Sequence, residues 1–299
     1  QAPSLQYPVP MKTFVLLVAL CHGSSAAAVE ASITHIGTAT VWIELDGLRL
    51  VTDPALDPAG TVHGFAMNTA STITVDPTHS AEELGLVDAV LLSHDQHLDN
   101  LDLLGRRFLG TDAVARVITT KPAARRLSDQ LDIGAKVVPL REWQTTNLVS
   151  PHGLEVRVTG VPARHGPNAH LPGIGKVIGS VLEWDGAPGA LYLSGDTVWY
   201  GGIRRIARRY GGQIDIALLH CGGAQFPDAN LLVRGIRFTM DAPEAVKAVR
   251  ALTPRVVSPI HYDGWTHFVD PPEVLFEALS HTDAEVVQLP REPHRPTDD

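Results

Sequence analysis

Several apolar runs in this chain end at a histidine or an aspartate. His94 follows the apolar run 89–92, Asp196 lies shortly after the run 191–193, and His261 directly follows a third run of the same kind. Runs this short and this apolar are typical of buried strands. Because the carboxyl ends of parallel strands converge on one edge of a sheet, where α/β folds bind ligands, we expect these side chains to share a site. A single histidine after a strand is more often a hydrogen-bonded core or surface residue, so the repetition carries the argument.

The remaining periodicity predicts an α/β fold in which strand-rich blocks alternate with helices. The predicted strands cover residues 33–36, 41–45, 48–52, 89–92, 117–119, 154–159, 177–184, 191–194, 214–219, 255–259 and 285–288. The predicted helices cover residues 122–130, 203–210 and 242–251, the last with Asp241 as its N-cap ahead of Pro243. Strand blocks in both halves of the chain indicate two packed sheets with helices outside. Residues 29–299 contain no linker-like stretch, and we expect a single domain there.

Residues 1–28 form an N-terminal extension to that domain. Within it, residues 11–28 have the order of a secretory signal: a basic start at Lys12, a short apolar core at 14–20 and small residues at 26–28. The apolar core is too short to span a bilayer, so no membrane span is expected. A true signal would send the protein to the periplasm or outside the cell. The alternative is an extension of no consequence on a cytoplasmic protein.

The composition limits both the partners and the kind of metal site. The formal net charge of the 299-residue chain is -9, which argues against a nucleic-acid partner because nucleic-acid-binding proteins usually carry a basic surface. The chain has 14 histidines but only 2 cysteines. Two cysteines can build neither a thiolate zinc site nor a disulfide framework. Any metal is therefore expected to be held by imidazole and carboxylate groups.

The densest group of such side chains lies in one short segment. His94, His97 and Asp99 fall within a single turn of chain, and imidazole and carboxylate groups both bind divalent transition metals. Asp95 and Asn100 flank them. The alternative interpretation is a helix N-terminus that Asp95 or Asp99 caps.

This segment resembles the His-x-His-x-Asp-His signature of the metallo-β-lactamase superfamily, with one residue inserted and Asn100 in place of the last histidine. Further residues match the order of the aspartates and histidines of that family, namely Asp53, His165, Asp196 and His261. The resemblance covers about residues 33–290. Residues 33–40 and 259–265 look most like the ascorbate-phosphate lactonase branch, which is related to the N-acyl-phosphatidylethanolamine phospholipase D type.

The resemblance implies a four-layer αββα sandwich with two metal ions at its edge, zinc being the expected metal and manganese the alternative. Carried over by position, the ligands are His94, His97 and His165 for the first ion, Asp99 and His261 for the second, and Asp196 as a bridge. Because of the insertion, Gln96 could stand at the second ligand position, but we favour His97 because imidazole is the better ligand. Asn100 in place of a histidine either weakens the second site or leaves the protein with one metal.

Other side chains are expected to surround the ligands. Asp53, Asp95 and Asn100 are expected to hydrogen-bond to the ligands or to orient their loops, although Asp53 could also simply form a turn. His220, after the predicted strand 214–219, could donate a proton or contact the substrate, or could pack beside Cys221. The side chains expected to line the mouth of the pocket are His170, Tyr262, Trp265 and His267.

The predicted function is hydrolysis by a metal-bound hydroxide, with Asp99, Asp196 and His220 as catalytic side chains beside the histidine ligands. Metal ions lower the pKa of a bound water and polarise a carbonyl or phosphoryl group. The positive charge left at such a site favours a small anionic or ester-like substrate, such as a lactone, a phosphodiester or a related ester. The alternative hypothesis is a metal-binding member of the fold that has little or no turnover and acts as a sensor.

Overall fold

The computed structural model describes residues 15–16, 31–65, 69–166, 174–226, 229 and 234–291. The predicted export signal at 11–28 lies outside the described residues except for Val15–Leu16, and His170 also lies outside them. In the described ranges, no helix combines the length and the apolar character that crossing a bilayer requires.

The described part of the chain forms sixteen strands and six α-helices. The strands of the first half are β1 (Val15–Leu16), β2 (Ala31–Gly37), β3 (Thr40–Leu45), β4 (Leu48–Thr52), β5 (Val62–Phe65), β6 (Thr69–Thr72), β7 (Ala89–Leu91), β8 (Val117–Thr120) and β9 (Val137–Leu140). Those of the second half are β10 (Thr145–Val149), β11 (Glu155–Pro162), β12 (Ile178–Trp184), β13 (Ala190–Leu193), β14 (Ile214–His220), β15 (Val256–Ile260) and β16 (Glu285–Val286). The helices are α1 (Ala81–Leu84), α2 (Leu103–Gly110), α3 (Lys121–Leu131), α4 (Gly201–Tyr210), α5 (Ala242–Leu252) and α6 (Pro272–Ser280).

The strands form two seven-stranded sheets and a separate hairpin of β5 and β6. The first sheet has the order β1-β2-β3-β4-β7-β8-β9, and the second has the order β10-β11-β12-β13-β14-β15-β16. In each sheet the first four strands pair antiparallel and the later strands pair parallel. Asp46 and Gly47 join β3 to β4 with φ angles of 51° and 79°, and positive φ at both positions is what a two-residue type I′ turn requires.

Three apolar layers hold these elements together. The first lies between the two sheets, where Leu91 and Leu218 are buried. The second lies between the first sheet and helices α1 to α3, around Phe108 and Leu127. The third lies between the second sheet and helices α4 to α6. Helices therefore cover the outer face of each sheet, which confirms the expected four-layer αββα sandwich.

Strands that are covered on both faces account for the apolar runs in the sequence. All seven residues of β14 and all five residues of β15 are buried. Parallel strands between two covered faces show this continuous pattern rather than an alternation of apolar and polar residues. The strands predicted at 214–219 and 255–259 and the helices predicted at 203–210 and 242–251 are thus confirmed to within two residues.

The apolar pattern did not predict α2, and the reason lies in its packing. Gly105 sits within this helix although glycine disfavours helices by about 1 kcal/mol relative to alanine. A Cβ atom at this position would lie 1.8 Å from the carbonyl oxygen of Pro54. Helix α2 packs so closely against the loop after β4 that position 105 requires glycine. The same glycine weakens the helical pattern in the sequence, so the helix was not predicted.

The two sheets bring several polar side chains to one edge of the sandwich. Strands β13, β14 and β15 are parallel neighbours, so Asp196, His220 and His261, which end or follow them, reach the same edge. Strand β7 of the first sheet ends opposite, where the amide of Ile178 donates a hydrogen bond to the carbonyl of Ser93 (3.2 Å). The segment that follows Ser93 therefore faces the ends of the second sheet's strands.

Asp102 begins α2 as its N-cap and is fully buried. Its Oδ1 accepts a hydrogen bond from the amide of Gly105 (2.7 Å), and its Oδ2 accepts one from the amide of Asp57 (2.6 Å). Burial disfavours the charged carboxylate and raises the pKa of Asp102 to about 7, although both hydrogen bonds act in the opposite direction. The folded protein therefore retains a proton that the unfolded chain releases near pH ~4.

We expect Asp102→Asn to remove a source of pH-dependent destabilisation. Because the pKa of Asp102 is higher in the folded state, its stabilising contribution is complete below about pH 4 and is lost as the pH rises through about 7. The variant cannot ionise and keeps one of the two acceptor oxygens, so it loses one backbone hydrogen bond, a cost that does not vary with pH. Unfolding midpoints measured in chelator should show the variant gaining stability relative to the wild type between about pH 4 and 7. Parallel profiles of the two proteins would contradict the raised pKa.

Candidate metal centre

Three imidazole rings converge at the edge of the sandwich. The Nδ1 atom of His97 lies 3.1 Å from Nε2 of His94 and 2.7 Å from Nε2 of His165. The other ring nitrogen of His165, Nδ1, lies 2.7 Å from the carbonyl oxygen of Phe238 and must donate its proton there. In the neutral ring, Nε2 of His165 therefore presents a lone pair to the other two histidines. Nitrogens that bind one zinc ion at about 2.1 Å lie roughly 3.4 Å apart, so the three rings would need to separate by less than about 1 Å to bind the same ion.

The residue inserted after His94 places His97, rather than Gln96, next to the other two histidines. The side chain of Gln96 is turned toward helix α3, where its Oε1 accepts a hydrogen bond from Nη2 of Arg126 (3.2 Å). The carboxylate of Asp95 is bound by the same guanidinium, with Nε of Arg126 2.8 Å from Oδ2 and Nη2 2.5 Å from Oδ1. Asp95, expected beside the ligands, is thus neutralised by an ion pair with α3.

Asp196 lies between two groups of histidines and presents one oxygen to each. Its Oδ2 is 3.9 Å from Nε2 of His94 and 3.5 Å from Nε2 of His165. Its Oδ1 is 2.8 Å from Nδ1 of His220 and 3.6 Å from Nε2 of His261. The carboxylate of Asp196 therefore has the geometry of a bridge between two neighbouring positions.

Asp99 stands beside the second of these positions. Its Oδ2 lies 3.2 Å from Nε2 of His261 and 3.0 Å from Nε2 of His267. The opposite nitrogen of His267 hydrogen-bonds with the hydroxyl of Ser71 (2.7 Å) in β6. His267, expected only at the mouth of the pocket, thus contacts a carboxylate of the site.

Asn100 and Asp53 support the site from behind. The Nδ2 of Asn100 donates to Oδ1 of Asp196 (3.3 Å) and to Oδ2 of Asp53 (3.5 Å). The other oxygen of Asp53 accepts a hydrogen bond from the amide of Ser93 (2.6 Å). Burial raises the pKa of Asp53 to about 8, against the effect of this bond to Ser93. Asp53 therefore ties β4 to the residue that precedes His94.

Burial and mutual attraction set the charges of the site. Burial lowers the pKa of His94 well below its ordinary value and the pKa of His97 to about 4, so both rings are neutral. For Asp99 and Asp196 burial acts to raise the pKa, but the neighbouring histidines, His261 foremost, hold both well below their ordinary range. Burial acts to lower the pKa of His261, but Asp196 and Asp99 raise it to about 9.

The donor set fits divalent metal ions. Two groups have ligand atoms that all lie within 4.8 Å of one another: His94, His97, His165 and Asp196, and then Asp196, His220 and His261. Several buried atoms of these groups and of the neighbouring Asp99 have no hydrogen-bond partner, including Oδ1 of Asp99, Oδ2 of Asp196 and both ring nitrogens of His261. A buried polar atom without a partner costs about 1–3 kcal/mol. Divalent cations would satisfy the two carboxylate oxygens and Nε2 of His261, which are ligand types that zinc and manganese accept.

Aromatic rings cover the outer side of the histidines. The ring of Phe65 lies between His97 and His267, with centroid distances of 6.1 Å and 5.4 Å. Phe226 stacks on His267 at 5.2 Å, and Trp265 lies 5.8 Å from Phe65. The surroundings of the site on this side are therefore apolar.

The chain is similar to known proteins in sequence and in fold. The family model of the β-lactamase superfamily domain matches residues 48–262. A UPF0173 metal-dependent hydrolase of Thermococcus kodakarensis is 31% identical over 192 residues, which are 58% of this chain and 77% of the relative. Another from Pyrococcus horikoshii is 31% identical over 221 residues, 73% of this chain and 85% of the relative. The isothiocyanate hydrolase from Delia radicum gut bacteria has a similar fold, with a TM-score of 0.69 and 21% identity over 88% of this chain and 98% of that one.

The match to the family model spans most of the chain, from β4 to the residue after His261. The names of the two relatives state metal dependence and hydrolysis but no substrate. The ascorbate-phosphate lactonase branch therefore stays a prediction. The chain belongs to the metallo-β-lactamase superfamily and is a metal-dependent hydrolase of that fold.

Proposed function

We propose that this enzyme uses zinc to hydrolyse a lactone, a phosphodiester or a related ester in a small molecule. The convergence of His94, His97 and His165 carries the proposal, because three imidazole ligands leave a coordination position open for water or substrate. The carboxylate of Asp196 would be shared with the second ion, so it would not close the first site as an unshared fourth ligand closes a structural zinc site. Manganese is the alternative metal, since imidazole and carboxylate also suit it.

The proposed ligands follow the two groups of donor atoms. His94, His97 and His165 would hold the first ion, Asp99 and His261 the second, and Asp196 both. When bound, the metal would lower the pKa of a water and polarise the carbonyl or phosphoryl group that the water attacks.

The charge of the surroundings suits an anionic or strongly polarised substrate. The neighbouring histidines keep Asp99 and Asp196 ionised, so these two carboxylates offset only part of the charge of two divalent ions. The carboxylate of Asp95 subtracts little more, because Arg126 neutralises it. The net positive charge that remains at the site would stabilise the negative charge that develops on the substrate in the transition state.

The protein's own groups would position the substrate and exclude water. Phe65, Phe226 and Trp265 offer an apolar wall beside His97. Such walls bind the apolar part of a ligand, whereas a few polar groups fix its orientation. A substrate that carries an apolar group next to the ester bond would fit this arrangement best.

We expect hydrolysis of at least one lactone or phosphodiester, loss of that activity in chelator and its return with added zinc. The test uses a panel that contains a lactone, a phosphodiester, a β-lactam and an aromatic isothiocyanate, assayed with metal content measured in parallel. The isothiocyanate arm follows from the name of the structurally similar hydrolase. A fully metallated protein that turns over none of these would favour the binding or sensing role that Asn100 suggested. Turnover of the isothiocyanate alone would contradict the ester proposal.

We expect Asp196→Asn to lower the metal content and to reduce hydrolysis at least about 100-fold, because both metal positions lose their shared anionic ligand. The matched control is Asp215→Asn, at the opposite end of the sheet strand β14, where Asp215 pairs with Arg255 (2.8 Å). The control should keep the metal content and activity of the wild type. Unchanged metal content and activity in Asp196→Asn would refute the proposed ligand set.

A further inference from the structure

The second metal position has an unusual composition. At position 100, where the resembled signature has a histidine, Asn100 presents its Nδ2 to Oδ1 of Asp196 at 3.3 Å. A side-chain amide is a poor ligand for zinc compared with imidazole. Without another donor, the position would be left with Asp99, Asp196 and His261.

We infer that His220 supplies the missing imidazole and is a ligand of the second metal through its Nδ1 atom. This inference rests on the proposed function only in requiring that the site binds metal, not in the identity of the substrate. Nδ1 of His220 lies 2.8 Å from Oδ1 of Asp196, closer than any other imidazole nitrogen in the described part of the site. Together with Asp196 and His261 it forms the second group of converging donor atoms.

The backbone explains why His220 can take this place. His220 is the last residue of β14 and pairs with Ile260 of β15, directly before His261. The two imidazoles therefore leave neighbouring parallel strands at the same level, and their rings stack with centroids 5.2 Å apart and planes 20° apart. The amide of His220 donates to the hydroxyl of Ser194 (2.8 Å), which anchors the strand end next to the segment that carries Asp196.

The second ring nitrogen of His220 faces a carboxylate that lies just beyond hydrogen-bond distance. Nε2 lies 4.0 Å from Oδ2 of Asp53. Metal-binding histidines usually direct their free N–H to a carboxylate or a carbonyl, which fixes the tautomer that leaves the other nitrogen free for the metal. With its proton on Nε2, His220 would direct the lone pair of Nδ1 toward Asp196 and His261.

Two other roles compete with this assignment. His220 could act only as a hydrogen-bond donor that orients Asp196, with its proton on Nδ1. Alternatively, His267 could be the extra ligand, since its Nε2 lies 3.0 Å from Oδ2 of Asp99. His267, however, is absent from the group of atoms that converge on Asp196 and His261, and its other nitrogen is held by Ser71.

The experiment measures zinc bound per chain in the full protein after zinc is added and excess is removed. The variants are His220→Ala, His220→Gln and His267→Gln. The control is His63→Gln, a buried histidine that pairs with Asp57 (2.9 Å) and belongs to neither group of converging donor atoms. Glutamine keeps a hydrogen-bond donor but is a poor zinc ligand, so His220→Gln separates coordination from orientation of Asp196.

We expect about two zinc ions per chain in the wild type and in the His63→Gln and His267→Gln proteins, and about one in both His220 variants. In cobalt-substituted protein, the visible absorption of the second ion should be lost in His220→Gln while that of the first ion remains. Zinc retained at His94, His97 and His165 would show that a His220 variant is folded. If His220→Ala does not fold, the result for His220→Gln is used to test the assignment.

Two ions in His220→Gln with wild-type affinity would overturn the assignment, as would one ion in the wild type or loss of an ion in His267→Gln alone. These readings do not depend on turnover. A protein that hydrolyses nothing in the panel but loses one ion in His220→Gln would refute the proposed substrate and still support the ligand.

Discussion

The arrangement of this protein depends on one buried carboxylate. Asp196 is completely inaccessible to solvent, and each of its oxygens faces a different pair of imidazoles. A carboxylate buried in this way costs several kcal/mol, on the order of the whole stability of a domain, unless positive charge surrounds it. Strands β13, β14 and β15 place Asp196 beside His220 and His261 at one edge. Burial acts to lower the pKa of His261, but Asp196 and Asp99 raise it to about 9, so this ring supplies positive charge next to Asp196.

Three non-glycine residues at the same edge have left-handed backbone conformations. Thr38, Asp53 and His261 have φ angles of 50°, 32° and 56°, which non-glycine residues seldom adopt. Hydrogen bonds hold them there: the amide of His261 donates to the carbonyl of Thr38 (2.7 Å), and the hydroxyl of Thr40 donates to the carbonyl of Asp53 (2.8 Å). Strain of this kind persists where the surrounding structure over-determines a functional geometry. The backbone at this edge, including that of the proposed ligand His261, is therefore held by hydrogen bonds within the protein.

Local pattern predicted the strands that lead to Asp196, His220 and His261 and the residue types of the site, but not the β5–β6 hairpin, helix α2 or the long-range contacts. Strands β14 and β15 are buried on both faces, so their apolar runs were visible in the sequence. The ion pair of Asp95 depends on Arg126 in α3, and the contact of Asp99 with His267 joins residues 168 positions apart. The spacing of apolar residues along the chain does not predict such contacts, because the residues meet only when the sheets have formed.

Asn100 in place of a histidine suggested a weakened second metal site. The position of His220 suggests instead that another imidazole replaces the missing one. An imidazole at position 100 would tether the second metal to the loop after β7, whereas His220 and His261 stand on neighbouring strands of one sheet. Asn100 is then free to donate to Asp53 and Asp196, which links the loop to both carboxylates. Under this assignment the second position still has two imidazole ligands. One of them comes from the end of β14 instead of from position 100. The departure from the signature is then an exchange of ligands between two elements, which preserves the charge and the donor types that hydrolysis requires.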